Sequence, residues 1–252
     1  MKLALKFAYD GKKYHGYARQ PNLKTIEGEI IKKLIENNYI KNINGACLRS
    51  ASRTDKKVSA FSNVITFSTD GKIENLIKIL NKKSDDIIFY GYKNVPSDFN
   101  PRHANLRIYR YYLKKNRYLE KKLLKASNVF VGEHDFSNFA RVEPHKNPVR
   151  SIDDIILTGD KKYFYIDFYA KNFLWNQIRR IMSAIINYSN DKISLEKIVN
   201  AIENPNLYCD LGLASPEPLV LKEIKYNFEF KYNKTFLQKI ERLEEKILKN
   251  IS

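Results

Sequence analysis

The segment Ser50 to Ala60, SASRTDKKVSA, sets an arginine, a threonine and an aspartate side by side, just ahead of the β-rich run Val64-Ile65-Thr66-Phe67. Asp55 is the group with chemistry to offer. A carboxylate can act as nucleophile or as base, provided that it is held ionised and aimed. On an extended segment Arg53 would point to the same side as Asp55, and Thr54 to the other. Taken alone, the stretch also fits a solvated turn aspartate beside Lys56 and Lys57.

Elements on either side must position such a carboxylate. Leu3, Leu5, Phe7 and Tyr9 alternate with their neighbours and read as a strand ending in the turn Asp10-Gly11. Thr25 is placed as the N-cap of a helix carrying Ile26, Ile30, Ile31, Leu34 and Ile35. A short helix is expected over Leu76 to Leu80, and strands over Asp86 to Tyr92 and Arg107 to Leu113. Val149 to Leu157 and Tyr163 to Tyr169 flank Gly159-Asp160 and predict a hairpin. Phe173 to Tyr188 reads as a helix with Leu174, Ile178, Ile181, Met182 and Ile185 on one face. Ser194 caps another helix through Ile202, Leu219 to Tyr226 is a late strand, and Phe236 to Leu248 is a charged amphipathic helix. Pro101 disfavours helix just before it, and the domain boundary is placed there. The expected organisation is α+β, with residues 1–104 as an N-terminal domain and 105–252 as a C-terminal one. Each has mainly antiparallel sheets flanked by helices, and together they would form one basic cleft.

Composition narrows the partner. The chain has 252 residues, with 45 Lys+Arg against 28 Asp+Glu and a net charge of +17. Such a surplus favours a polyanion. Of the two polyanions in view, nucleic acid and an acidic membrane surface, the 17 tyrosines and 14 phenylalanines, some beside basic residues as in Tyr109-Arg110-Tyr111-Tyr112, suit nucleic acid, whose bases stack on flat rings. Most of these rings are nonetheless expected in strands and core. No apolar run is long enough to cross a bilayer, the N-terminus lacks a hydrophobic signal region, and Cys47, Cys209 and four histidines offer no metal-ligand spacing. A cytoplasmic, metal-free protein with no membrane association is the expectation.

Ordered blocks then carry a resemblance. Arg53-Thr54-Asp55-Lys56-Lys57-Val58-Ser59-Ala60 resembles the R-T-D-x-G-V-H/S-A motif of the TruA family of tRNA pseudouridine synthases. Tyr9-Asp10-Gly11 through Tyr14, Gly16 and Tyr17 resembles that family's opening block. Phe99 to Arg102, Tyr109 to Tyr111, Gly132 to Phe139, Asn172 to Arg179 and, weakly, Ala214 to Leu219 follow in family order. The departures are Lys57 for a glycine, Ser59 for a histidine (a variant closer to archaeal and eukaryotic members), Trp175-Asn176-Gln177 for H-H-M, and Pro218 for a late glycine. A lysine at 57 would be strained if the loop needs positive φ there; otherwise the loop is built differently.

The resemblance implies a pseudouridine synthase fold and isomerisation of uridine in the anticodon stem-loop of tRNA, roughly at positions 38 to 40. It implies a homodimer and no cofactor. Asp55 becomes the catalytic residue, Arg179 the cation that keeps it ionised, Tyr109 a stacking partner for the target uracil, Arg53 the group filling the place of the flipped base, and Leu219 a cover for the base's other face. The competing readings are an RNA-binding module without catalysis, a metal-dependent nuclease, for which one carboxylate is too few, and a membrane-surface protein, which Glu241, Glu244 and Glu245 of the tail disfavour.

Overall fold

The computed structural model describes residues 1–82, 86–249 and 251, and the chain runs through two units, 1–105 with 220–252 and 106–219. In the first unit, β1 (Lys2–Tyr9) is buried along almost its whole length because it is central to its sheet. Leu3, Leu5, Phe7 and Tyr9 fill one face; on the other, buried Lys6 is neutralised by Glu223 at 2.6 Å. Helix α1 (Ile26–Glu36) starts where expected, its Thr25 side chain accepting from the Gly28 N–H, and buries Ile26, Ile30, Ile31 and Leu34. Next come β2 (Arg49–Ser50), β3 (Ser59–Ser68), α2 (Leu76–Leu80) and β4 (Ile87–Val95).

The second unit holds β5 (Leu106–Lys114), α3 (Glu120–Ser127), β6 (Gly132–Asp135), β7 (Val149–Ile152), β8 (Asp154–Gly159), β9 (Tyr163–Ala170), α4 (Gln177–Ser189) and α5 (Leu195–Glu203). The chain returns to the first unit through β10 (Leu219–Lys225), β11 (Lys231–Tyr232) and α6 (Lys234–Lys249). The first unit's strands run β11-β4-β1-β3-β10, with β2 also on β3, all antiparallel except β10 against β3. In the second unit, β9 lies antiparallel between β5 and β8, and β6 pairs with β7 in a separate ribbon. This is an α+β architecture of mostly antiparallel sheet with helices.

Three differences from the sequence reading have their causes in pairings with distant partners. The predicted strand Val149 to Leu157 breaks at Asp153. Its first half pairs with β6, where Ile152 is buried, and its second half pairs with β9, where Ile155 is buried. The helix expected from Phe173 begins only at Gln177, since Trp175 bridges to Arg141 and Asn176 sits at φ +61°, outside the helical region. The described residues from 220 onward, expected with the C-terminal domain, pack instead with the first unit. Val220 and Leu221 pair with Ser59 and Ala60, and α6 buries Leu243 and Ile247. Helix α3 had no expectation at all; its leading Leu119 gives no side-chain cap.

Candidate active site

In the first unit, Asp55 opens a tight turn closed by the Val58 N–H donating to the Asp55 carbonyl at 3.1 Å. Lys57 occupies the third position at φ +71°. That is the slot of a type II turn usually given to Gly or Asn, so the loop does take the conformation that strains a lysine. Around the turn, burial alternates: Thr54 is buried, Asp55 half-buried and Arg53 exposed. Thr54 is thus the inward-turned residue of the three, and Arg53 and Asp55 on either side of it are less buried.

Three sets of contacts anchor the turn. The Thr54 hydroxyl meets the Tyr9 hydroxyl at 2.8 Å, and the Tyr17 N–H donates to the Thr54 carbonyl. Asn63 donates to the Ser52 carbonyl at 2.9 Å, and the Gly11 N–H donates to the Ser59 hydroxyl at 3.0 Å. The glycines of the opening block then explain themselves. A Cβ on Gly11 would lie 2.5 Å from the Val58 carbonyl carbon and 2.9 Å from that of Lys57, so only hydrogen fits. Gly16, at φ +102°, packs its backbone against Lys56. Tyr17 completes the floor, fully buried and donating to Ser50; burial pushes its phenol well above the usual range. The block beginning at Tyr9 is therefore a cradle for the Asp55 turn, a role that sequence reading did not assign.

In the second unit, β5 sorts its side chains by face. Arg110 forms a two-pronged ion pair with buried Asp167 at 2.7 and 2.8 Å, and its guanidinium lies over the Tyr165 ring. Burial pulls Arg110 down, but the Asp167 carboxylate outweighs it and holds the guanidinium above its ordinary pKa. This pair is structural. Tyr109 and Tyr111 take the opposite face. Tyr111 donates to the Ser215 carbonyl at 3.0 Å, and buried Tyr109 meets Phe173 edge to face with ring centres 5.4 Å apart.

Arg179 projects from the first turn of α4, half-buried. Its Nε donates to the Ala214 carbonyl at 2.8 Å while the Ala214 N–H donates back to the Arg179 carbonyl at 3.0 Å. A further contact reaches Asn176 at 3.4 Å. Leu219 is buried, its N–H donating to the Pro216 carbonyl. Thus Arg53 lies two residues before the Asp55 turn in the first unit, whereas in the second, β5, Arg179 and Leu219 are tied together through residues 214–218, by Tyr111 and Tyr112 on the β5 side. The Gly132 to Phe139 block is scaffolding: Phe136 and Phe139 are buried, and buried Asn138 donates to the Ala201 and Leu207 carbonyls while accepting from the Cys209 N–H. The substituted Trp175 is 45% exposed, with the Arg141 guanidinium 4.1 Å from its ring centre. Among the described residues no cluster of three or more His, Cys, Asp or Glu could hold a metal ion, and no helix is long and apolar enough to cross a membrane.

Residues 126–227 match a family model described as tRNA pseudouridine synthase. The chain is 41% identical to tRNA pseudouridine synthase A of Pyrococcus furiosus over 246 residues, covering 96% of this chain and 90% of that one. It is 39% identical to the protein of that name from Thermococcus onnurineus, covering 95% and 90%, and 41% identical to that from Pyrococcus horikoshii, covering 98% and 93%. Likeness of this extent takes in the Asp55 turn and its glycine cradle as well as the β5 and α4 framework, and the chain belongs to the TruA family of tRNA pseudouridine synthases.

Proposed function

We propose that this protein isomerises uridine to pseudouridine in the anticodon stem-loop of tRNA, roughly at positions 38 to 40, with Asp55 as the reacting carboxylate. The observation that carries the reading is the Asp55 turn: a half-buried carboxylate on a strained loop packed so closely against Gly11 that no Cβ fits between them. Strain of this kind persists where the surroundings over-determine it, and it collects at functional sites.

The reaction breaks the bond from ribose C1′ to uracil N1, turns the base and joins C1′ to C5. The C5 proton is lost and N1 gains one, so atoms and oxidation state balance and no redox cofactor is demanded. Extruding the uridine from its stack costs a few kcal/mol. Exposed Arg53 is assigned to the space the base leaves or to its phosphate. Tyr109 is assigned to the uracil face, where its ring is already fixed by Phe173, and Leu219 to the base's other side. Arg179 is the proposed cation of the reaction, its guanidinium aimed by Ala214. A cytoplasmic homodimer completes the proposal on family grounds.

Pseudouridine mapping of unmodified tRNA transcripts incubated with the protein tests it. The reading expects modification confined to the anticodon arm. Modification elsewhere in the tRNA refutes the position, and no modification of any tRNA refutes the activity.

A further inference from the structure

The second unit carries a cleft of about 670 Å³ that no part of the reaction above uses. Its walls come from the β6–β7 ribbon, from Asp153 just after it and from the segment after β9: Glu133, Arg150, Asp153, Lys171, Asn172 and Phe173. The ribbon is regular there, with Glu133 opposite Ser151 and His134 opposite Arg150, so the side chains rise from a fixed base.

The charges in this cleft are unsatisfied in a specific way. Arg150 spends one nitrogen on the Asn147 and Val149 carbonyls at 2.9 and 2.6 Å, and its Nε is buried with no partner among the described residues. Neither Arg150 nor Lys171 forms an ion pair among those residues, although Glu133 and Asp153 line the same space. Burial without a compensating anion lowers the Arg150 pKa. A partly desolvated guanidinium left without a carboxylate is costly unless an anion arrives to complete it. The two carboxylates make a purely anionic ligand unsuitable, but they are acceptors for hydroxyl and amino groups. A ribonucleotide offers both chemistries: a phosphate for Arg150 and Lys171, and a 2′-hydroxyl or base amino group for Asp153 and Glu133. The volume lies within the range of roughly 300–1,000 Å³ typical of small-ligand sites.

Phe173 relates the cleft to the substrate, since this residue lines the cleft and its ring meets Tyr109. We infer that the cleft holds a second nucleotide of the tRNA, near the target uridine in the bound RNA, gripped by its phosphate on Arg150 and Lys171. The inference rests on Tyr109 meeting the target base. It makes Arg150 and Lys171 anchoring residues for the bound RNA.

Phosphate-ethylation interference on a tRNA transcript tests this, comparing wild type with Arg150→Ala and Lys171→Ala. Lys171→Ala retains the Arg107 bond to the Lys171 carbonyl and all Arg150 contacts, so it serves even if Arg150→Ala melts early. The expected result is that one phosphate, or two adjacent ones, blocks wild-type binding when ethylated and ceases to matter in each variant, while every other position keeps its effect. The slope of log affinity against log salt falls by about 0.7–0.9 per charge removed. A folded variant that keeps the whole wild-type pattern and slope overturns the inference. That failure is distinguishable from failure of the activity reading, because wild type would still form pseudouridine.

Discussion

Gly11→Ala isolates the link between the first sequence block and the Asp55 turn. The added methyl would stand 2.5 Å from the Val58 carbonyl carbon and 2.9 Å from that of Lys57, both backbone atoms that no rotamer change can move. Reaching van der Waals separation requires a shift of roughly 1 Å. Val58 is bonded back to Asp55, so the shift is passed to the carboxylate. A displacement of about 1 Å in a reacting group costs on the order of 100-fold in rate, and overpacking costs about 1–3 kcal/mol of stability. Single-turnover pseudouridine formation, measured beside tRNA affinity and a thermal melt, is the assay. Gly45→Ala is the control, since its Cβ would meet only the Asn42 side-chain oxygen at 3.4 Å. The reasoning predicts a rate loss near 100-fold at nearly unchanged affinity. A Gly11→Ala enzyme within twofold of wild type in rate would refute it.

Other consequences can be checked without RNA. Lys57→Gly removes a left-handed lysine costing about 1–2 kcal/mol and adds back roughly 0.5–1 kcal/mol of chain entropy, so the melting temperature rises by roughly 1–2 °C; a fall contradicts the strain. Asp167→Ala strands the Arg110 guanidinium and costs about 3–5 kcal/mol in denaturant unfolding. Most of that loss returns in the double variant Arg110→Met with Asp167→Leu. Asp160, at the β8–β9 turn, is held below its ordinary value of 3.8 first by the Tyr165 hydroxyl, then by the N–H groups of Lys162 and Tyr163. A depressed folded pKa stabilises above the unfolded value and is lost as pH falls through the folded one. Asp160→Asn is therefore less stable than wild type at pH 7, and the gap closes as pH drops below 3.8. A gap independent of pH contradicts the linkage.

Much of this was legible where local rules decide. Thr25 and the stripe Ile26, Ile30, Ile31 and Leu34 specify α1 through a cap and a period, and Ser194 does the same for α5. Local rules fail where a distant partner decides. Nothing in the run Val149 to Leu157 reveals that Asp153 divides it between two sheets, and nothing in Leu219 to Tyr226 names β3 as its neighbour. Trp175 delays α4 by pairing with Arg141, 34 positions earlier in the chain. The sequence raised the question of Lys57; its φ of +71° answers it. Family motifs marked Asp55, Tyr109 and Arg179, but the work of Gly11 and Gly16 as a cradle shows only in three dimensions. The Arg150 cleft was out of reach, since its walls come from three separated segments and no spacing rule joins them.

The central claim is that Asp55 reacts with the uridine. Its most direct test compares wild type with Asp55→Ala and Asp55→Asn on one tRNA transcript, reading pseudouridine and affinity in parallel. The account predicts that both variants bind the tRNA within a few-fold of wild type and form no pseudouridine. Pseudouridine appearing at the wild-type position and rate with either variant would contradict it.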